Sequence, residues 1–418
     1  MSSQLAAVIA LSLANFCLIT WVLFDKVFDG LASSQLLLSA VILGLIGVLA
    51  NPLLEDDHFR YLWDGYITAT TGEPFAFAPS HYFDNNTTPA ALRDILNGVN
   101  NPELPTIYGP LLQALFALCY WIAPAQLWPL KGVLLIAEVI ALLLLRAAGV
   151  SPRWLLLLIL HPLVIKESAI TAHPDLLVGV ALLAAVLAWR RGLEGWAAVL
   201  ACAAVALKFS AVVAIPLFCI SRSGRWSARG IGAIVLTLGA LYAPVLASLS
   251  GGEGRALSAF GEQWTFNPLL FKVAATVLGD GPARWVCLTL FVAVWLILFW
   301  HWIVRLRWYS RTPSATLATS GETMPVPPVV GVFIAMLLLS PVVNPWYWLW
   351  VLPLALLHFS ALTWAAATVS LLAYAHIGTQ VLAGSSIVTY AVPLWATGLQ
   401  MLVIASAFAF TRHRRGWI

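Results

Sequence analysis

Residues 55 to 64 read EDDHFRYLWD, which packs Glu55, Asp56, Asp57, His58, Arg60 and Asp64 into ten positions and interleaves them with Phe59, Tyr61 and Trp63. Only 10% of the 418 residues are charged, and the 50 residues before Asn51 hold three charged side chains, Asp25, Lys26 and Asp29. A carboxylate placed this way can take the proton from a hydroxyl as it attacks, which is general-base catalysis. A guanidinium beside it can bind a phosphate and stabilise the charge that grows on it as it leaves. A solvated loop start would need neither the rings nor this density of acid. The cluster therefore reads as a site, with Asp56 the first candidate for the base, Asp57 its competitor and Arg60 a phosphate contact.

Three further places put polar chemistry inside apolar sequence. HPLVIKESAITAHPD (161–175) carries Lys166, Glu167, His173 and Asp175; Lys208 interrupts ALKFSAVVAIP; and SPVVNPWYWLWVLPL (340–354) carries Asn344, Trp346 and Tyr347. Ionisable groups in a bilayer are costly and face a partner or a water-filled path. Lys166 and Glu167 fit a structural pair as well as a functional one. The rings from Trp346 to Trp350 fit an aromatic belt at the membrane interface better than a sugar site. Lys208 is a second candidate for the phosphate.

The elements that must hold these residues are membrane helices. The chain is 61% hydrophobic, where soluble domains run about 45–50% apolar and about 25% charged. Runs such as 5–24 and 33–50 reach the roughly 20 residues a spanning helix needs, and similar runs recur to the C-terminus. The expectation is an all-α polytopic protein of about 11–14 transmembrane or half-spanning helices, a single integral-membrane domain over 1–418. Its parts would be a large loop at 51–106, core helices at 107–230 and C-terminal helices at 231–418. MSSQ at the start offers no positive n-region, so the first run reads as a retained helix and not a cleaved signal. Cys17, Cys119, Cys202, Cys219 and Cys287 all lie in apolar runs without CxxC spacing, which fits buried thiols and calls for neither disulfides nor zinc. The net charge of +4 comes from short basic clusters, Arg190–Arg191, 222–229, 305–311 and 412–415, which belong on the cytoplasmic side. The more acidic 51–106 belongs outside.

Parity then fails in two intervals. Four apolar stretches separate the outer loop from Arg190, and one separates Arg191 from Arg222. In each interval something does not span, and irregular backbone at membrane depth survives only where protein buries it or it lines a cavity. Acids at the membrane face, lysines at depth and rings around them suit glycosyl transfer from a sugar on polyprenyl phosphate. His173 and Asp175 would then lie beside sugar or acceptor hydroxyls.

At these residues the sequence resembles the integral-membrane glycosyltransferases of the GT-C fold, in particular the polyprenol-phosphate-mannose-dependent mannosyltransferases, including the first mannosyltransferase of GPI-anchor synthesis and bacterial relatives. EDDHFRYLWDGYITATTGEPFAFAP, NPELPTIYGPLLQALF, HPLVIKES…HPDLLVG, LKFSAVVAIPL and SPVVNPWYWLWVLPL carry the likeness, in order, over about 50–355. The resemblance implies an extracytoplasmic loop with a catalytic Asp and inversion at the sugar carbon. Asp56, Asp64 and GEPF (72–75) match the spacing of the family's acidic motif, while the second Asp of its pair falls on His58, a departure that keeps Asp57 in contention. Through these motifs His58, Tyr61, Asp64, Tyr108, Lys166, Glu167, His173, Asp175, Asn344, Trp346 and Tyr347 become candidate sugar or acceptor contacts, and WTFNPLLF (264–271) adds Asn267.

The reading is therefore an inverting glycosyltransferase of a bacterial inner membrane, its site facing the periplasm, with mannose as the favoured sugar and a glycolipid, glycan or protein hydroxyl as acceptor. It needs no nucleic acid and no partner subunit beyond a monomer. A divalent metal is compatible with it but not required, since lysine and arginine can serve a single phosphate. The competing class is a transporter or flippase of lipid-linked sugars, which would also show broken helices. The acidic loop has no counterpart after residue 210, and an enzyme explains that asymmetry better than two matching halves would.

Overall fold

Apolar runs in this chain become helices whose outward faces stay greasy and whose inward faces carry the polar groups. The computed structural model describes residues 21, 28, 30–86, 88–248, 264–313, 323–358, 360–375, 379–381 and 388–413. The run at 5–24 lies outside the described residues except for Trp21, and Cys17 lies outside them as well. The described helices are α1 (Ser33–Leu49), α2 (Asp57–Thr71), α3 (Ala90–Asn97), α4 (Pro110–Ile122), α5 (Trp128–Ala147), α6 (Pro152–Ile159), α7 (Asp175–Arg190), α8 (Glu194–Leu207), α9 (Ala228–Ser248), α10 (Leu270–Leu278), α11 (Asp280–Arg311), α12 (Val329–Leu339), α13 (Ala361–Val369) and α14 (Leu394–His413). A short antiparallel ribbon, β1 (Thr379–Val381) with β2 (Val388–Tyr390), pairs Gln380 with Thr389.

This is an all-α membrane protein. Among the described residues α5 and α11 are each long and apolar enough to cross a bilayer, and shorter apolar helices of 10–17 residues accompany them. Trp285, Leu288, Ile297 and Trp300 stand exposed on α11, as a lipid-facing surface requires. Cys119, Cys202, Cys219 and Cys287 are free thiols, as expected.

The two intervals where parity failed hold the irregular backbone. In the first, Val164–Ile170 is a π-helix, and the chain turns by 109° before α7 continues. The turn puts Ala172 at φ +66, a left-handed conformation unusual for a residue with a Cβ, and ties the His173 N–H to the Glu167 carbonyl at 2.8 Å. In the second, α8 stops at Leu207, Lys208 is extended (φ −146, ψ 119), and a 3-10 helix follows over Phe209–Ala214. A third irregular segment, the 3-10 helix Pro345–Trp350, is buried throughout, so the expected aromatic belt at Trp346–Trp350 is corrected: these rings are core and not interface.

Close approaches at two glycines join the outer helices to the core. A Cβ on Gly65 would lie 2.6 Å from the Phe116 carbonyl, so α2 packs backbone to backbone on α4. Gly179 likewise brings α7 against the Leu349 carbonyl. Helix α2 itself is amphipathic, burying Arg60, Tyr61, Trp63, Asp64 and Ile67 while Thr70 and Thr71 stay toward solvent; Gly72 at φ +73 ends it.

Candidate functional site

The helix break at Lys208, the segment from Asn344 to Tyr347 and the start of α2 meet around one cavity of about 410 Å³. Asp56 is the residue before α2 and Asp57 its first, where the helix N-terminus favours negative charge. Both carboxylates line the cavity, and the Asn100 side-chain amide donates to each, at 2.7 Å to Asp56 Oδ1 and 2.9 Å to Asp57 Oδ1. Their environments then diverge. Burial pushes Asp57 up, but the hydrogen bond and charge of His173, the Asn100 amide and the charge of Lys208 together outweigh it and hold the carboxyl below its usual range. Burial and the charge of Asp57 raise Asp56, with Asn100 offsetting only part. Desolvation pushes Glu55 beside them up to about 8, so that at neutral pH it keeps a proton. Two adjacent aspartates are thus made unequal, the pattern that separates a proton acceptor from a permanently charged neighbour.

Behind Asp57 is a buried polar layer. His173 Nε2 lies 3.5 Å from Asp57 Oδ2 and Nδ1 lies 3.1 Å from Glu167 Oε2. Glu167 pairs with Lys166 at 3.1 Å and accepts from the Tyr374 hydroxyl at 2.8 Å, while the Lys166 ammonium sits 3.7 Å from the centre of the Tyr374 ring. Trp346 lines the cavity and stacks face to face on the His173 ring, centroids 3.8 Å apart. His173, Lys166 and Glu167 have no exposed surface. Their expected role as sugar or acceptor contacts is corrected: they form the support of Asp57 and Trp346, one layer removed from the cavity.

Two cations line the cavity, each tied to a carboxylate. Arg60 Nε lies 3.2 Å from Asp64 Oδ1, and its Nη2 donates to the Leu104 carbonyl at 2.6 Å. Asp64 is held in turn by Thr106 (2.6 Å) and Gln113 (3.0 Å). Lys208 Nζ lies 3.1 Å from Asp175 Oδ1, which also accepts from Trp350 Nε1 at 2.6 Å. The rings of Tyr347 and Tyr108 flank the ammonium at 4.7 and 5.6 Å. Asp64 and Asp175 are therefore corrected from sugar contacts to orienting partners. Tyr61 is also behind the lining, stacked on Phe116 and edge-on to Tyr108, and His58 packs on Phe59 outside it.

Of the residues expected from sequence, Asp56, Asp57, Arg60, Tyr108, Lys208, Asn344, Trp346 and Tyr347 line the cavity. Asn267 does not. Its amide exchanges hydrogen bonds with Gln400 at 2.9 and 3.1 Å and donates to the Val343 carbonyl, so it anchors a loop, and its neighbour Phe266 faces the cavity. Sequence reasoning missed Asn100, Trp264, Phe266 and Tyr390. Asn100 had a weak signal, the polar run NGVNNPELP at the end of the acidic loop; Tyr390 had none.

Among the described residues, Glu55, Asp56 and Asp57 form the group that could hold a cation, since each offers an oxygen within 4.8 Å of the others; acidic groups of this kind are common without one. What the cavity can do without a metal is accept a proton at an aspartate and receive negative charge between an arginine and a lysine.

A model of the MptA_B family, described as the N-terminal domain of an alpha-(1->6)-mannopyranosyltransferase, matches residues 2–222. Those residues include Glu55–Asp64, Asn100, the Lys166–Asp175 turn and Lys208. No curated protein and no solved structure matches the chain.

Proposed function

The chain belongs to the MptA_B family of mannopyranosyltransferases, and from that premise we propose that it moves mannose from polyprenyl phosphate to an acceptor hydroxyl on the extracytoplasmic side of a bacterial inner membrane, with inversion. The observation that carries the reading is the single cavity in which unequal aspartates share a wall with Arg60 and Lys208.

Asp56, the more basic aspartate, takes the proton of the acceptor hydroxyl as its oxygen attacks the anomeric carbon from the face opposite the phosphate. The bond from that carbon to the phosphate oxygen breaks, and its electron pair leaves with the polyprenyl phosphate. Arg60 and Lys208 receive the growing charge. Each uses one carboxylate to fix its direction and keeps further N–H donors, five being available on a guanidinium and three on an ammonium. Asp57 stays ionised and supports the positive charge that develops on the sugar ring. Asp56 then returns its proton to water at the open cavity.

The outward site is supported by the acidic balance of 51–106 and by the basic clusters elsewhere in the chain. A lipid donor is supported by the position of Lys208 at a helix break within apolar sequence. A flippase has no need of two adjacent carboxylates with opposite displacements. The test is transfer by the purified protein: polyprenyl-phosphate-mannose with an alkyl α-mannoside should yield a product heavier by one hexose, with the β-anomer of the donor giving an α-linkage. Purified, folded protein that gives no such product from any sugar-phosphate lipid would overturn the reading.

A further inference from the structure

Helix α11 runs for 32 residues, roughly 48 Å at the rise of an α-helix, which exceeds the ~40–45 Å of a bilayer with its headgroups. Two exposed rings mark its depth. Trp285 and Trp308 stand roughly 35 Å apart along the axis, close to the ~30 Å hydrocarbon core whose borders favour tryptophan. No Asp, Glu, Lys or Arg occurs from Val286 to Val304. Arg307 and Arg311, in the two turns past that apolar run, therefore lie among lipid headgroups on the basic side of the protein.

Arginines beside a helix end are expected of any chain oriented by its charge, but these two are built into a groove. Val304, Arg307, Trp308, Arg311, Thr312 and Pro313 line it, around about 480 Å³, with no acid among them. Arg307 is held in place. Its Nε donates to the Gly224 carbonyl at 3.0 Å, and Gly224, at φ +73, comes so close that a Cβ there would lie 2.7 Å from the arginine Cγ. That bond uses one of the five guanidinium N–H groups. The two amino groups of Arg307 and the whole guanidinium of Arg311 have no hydrogen bond or ion pair among the described residues. Toward the membrane centre Val304, Trp300 and Ile297 continue the same helix face as exposed apolar surface. The charges call for a phosphate, and the apolar track calls for acyl chains attached to it.

We propose that this groove is a binding site for an anionic glycerophospholipid, its phosphate between Arg307 and Arg311 and its acyl chains along Val304, Trp300 and Ile297. Guanidinium forks take phosphate oxygens in pairs, and a basic cluster at headgroup level selects lipids of negative charge. Through Arg307 the lipid ties α11 to the turn at 221–226, which follows the irregular segment begun at Lys208. The inference does not depend on the transferase reading.

Thermal unfolding of the full-length protein, stripped of lipid in a neutral maltoside detergent, tests the site. Phosphatidylglycerol should raise the Tm by about 4 °C and phosphatidylcholine by less than about 1 °C. Inorganic phosphate should leave it unchanged. Arg307→Gln/Arg311→Gln should melt like wild type without lipid, both positions being exposed, and should lose the phosphatidylglycerol shift. Arg225→Gln/Arg229→Gln, which removes the same charge from exposed positions on the basic side, should keep it. Equal shifts from both phospholipids, equal losses in both double variants, or an equal shift from inorganic phosphate would each overturn the lipid site, the last in favour of a soluble phosphate. Should Arg307→Gln/Arg311→Gln fail to fold, native mass spectrometry of wild type and Arg311→Gln decides. The single variant should retain phosphatidylglycerol about tenfold less well, the worth of a charged hydrogen bond; equal retention would overturn the site.

Discussion

The imidazole of His173 is clamped between two carboxylates, Nε2 at 3.5 Å from Asp57 and Nδ1 at 3.1 Å from Glu167. A neutral imidazole has one N–H and one lone pair, and in this position its lone pair would face an anionic oxygen. Both contacts are favourable only for the imidazolium. The buried Lys166–Glu167 pair and the Tyr374 hydroxyl fix Glu167 in place, and Trp346 fixes the ring plane. Both aspartates accept from the same Asn100 amide, and the direct contact with His173, with the charge of Lys208, lowers Asp57 while burial and the charge of Asp57 raise Asp56.

Asp56→Asn should therefore lower kcat by about 10²–10⁴-fold, the usual loss for a positioned base, with donor binding preserved. In Asp57→Asn the residual activity should show its acid limb at lower pH than wild type, because the charge of Asp57 is one of the causes that raise Asp56. Steady-state rates from pH 4 to 8 check both. A variant Asp56→Asn at near wild-type rate alongside a dead Asp57→Asn would transfer the base to Asp57.

His173→Gln keeps a polar side chain and removes the charge. Asp57, no longer held down, should rise toward where burial alone would put it, and the acid limb of kcat/KM should move up by about one pH unit, equivalent to about 1.4 kcal/mol. The same contact has a stability consequence. Because Asp57 is depressed from 3.8, its contribution is fully present above that ordinary value and is lost as the pH falls through the folded one. Wild type should melt at lower temperature as the pH drops into that window, and His173→Gln should lack this component. Uniform loss at all pH values would reduce His173 to packing.

Much of this arrangement was legible in the sequence. Charged residues in an apolar chain are conspicuous, so Asp56, Asp57, Arg60 and Lys208 stood out, and the parity of basic clusters marked the two intervals that hold irregular backbone, with Lys208 marking the break within the second. What sequence could not supply was depth. His173, Glu167 and Lys166 look like the lining residues by type and spacing, yet the 109° turn at 171–174 points them behind Asp57. The Trp346–Trp350 run looks like an interfacial belt because composition is the same for a belt and a core; only the packing of α7 through Gly179 distinguishes them. Tyr390 and Phe266 come from the ribbon and from a loop over 200 residues beyond the acids, with no motif to join them to the site.

Arg60→Lys should not be conservative. The guanidinium spans Asp64 and the Leu104 carbonyl at once, a fork that an ammonium cannot reproduce. The expected result is a KM for the lipid donor raised about tenfold, with a smaller fall in kcat, and a fold that persists because Thr106 and Gln113 still satisfy Asp64. Donor titrations at fixed acceptor read the two effects separately; an unchanged KM would remove Arg60 from phosphate binding.

Lys208 and Asp175 give the last prediction, because each alone leaves the other exposed to a different penalty. Asp175 is almost fully buried and gives Oδ1 to both Lys208 and Trp350. Lys208→Met should therefore weaken donor binding and also destabilise, since removing one partner strands a buried charge, at a cost of about 3 kcal/mol. The double variant Lys208→Met/Asp175→Asn should recover most of that stability, because the amide still accepts from Trp350 and no charge is stranded. It should not recover donor binding, since the ammonium that meets the phosphate is still missing. Thermal unfolding in detergent reads the first quantity and the KM for the lipid donor reads the second. If the double variant regained both, Lys208 would be serving the fold alone, and the phosphate would have to be held by Arg60.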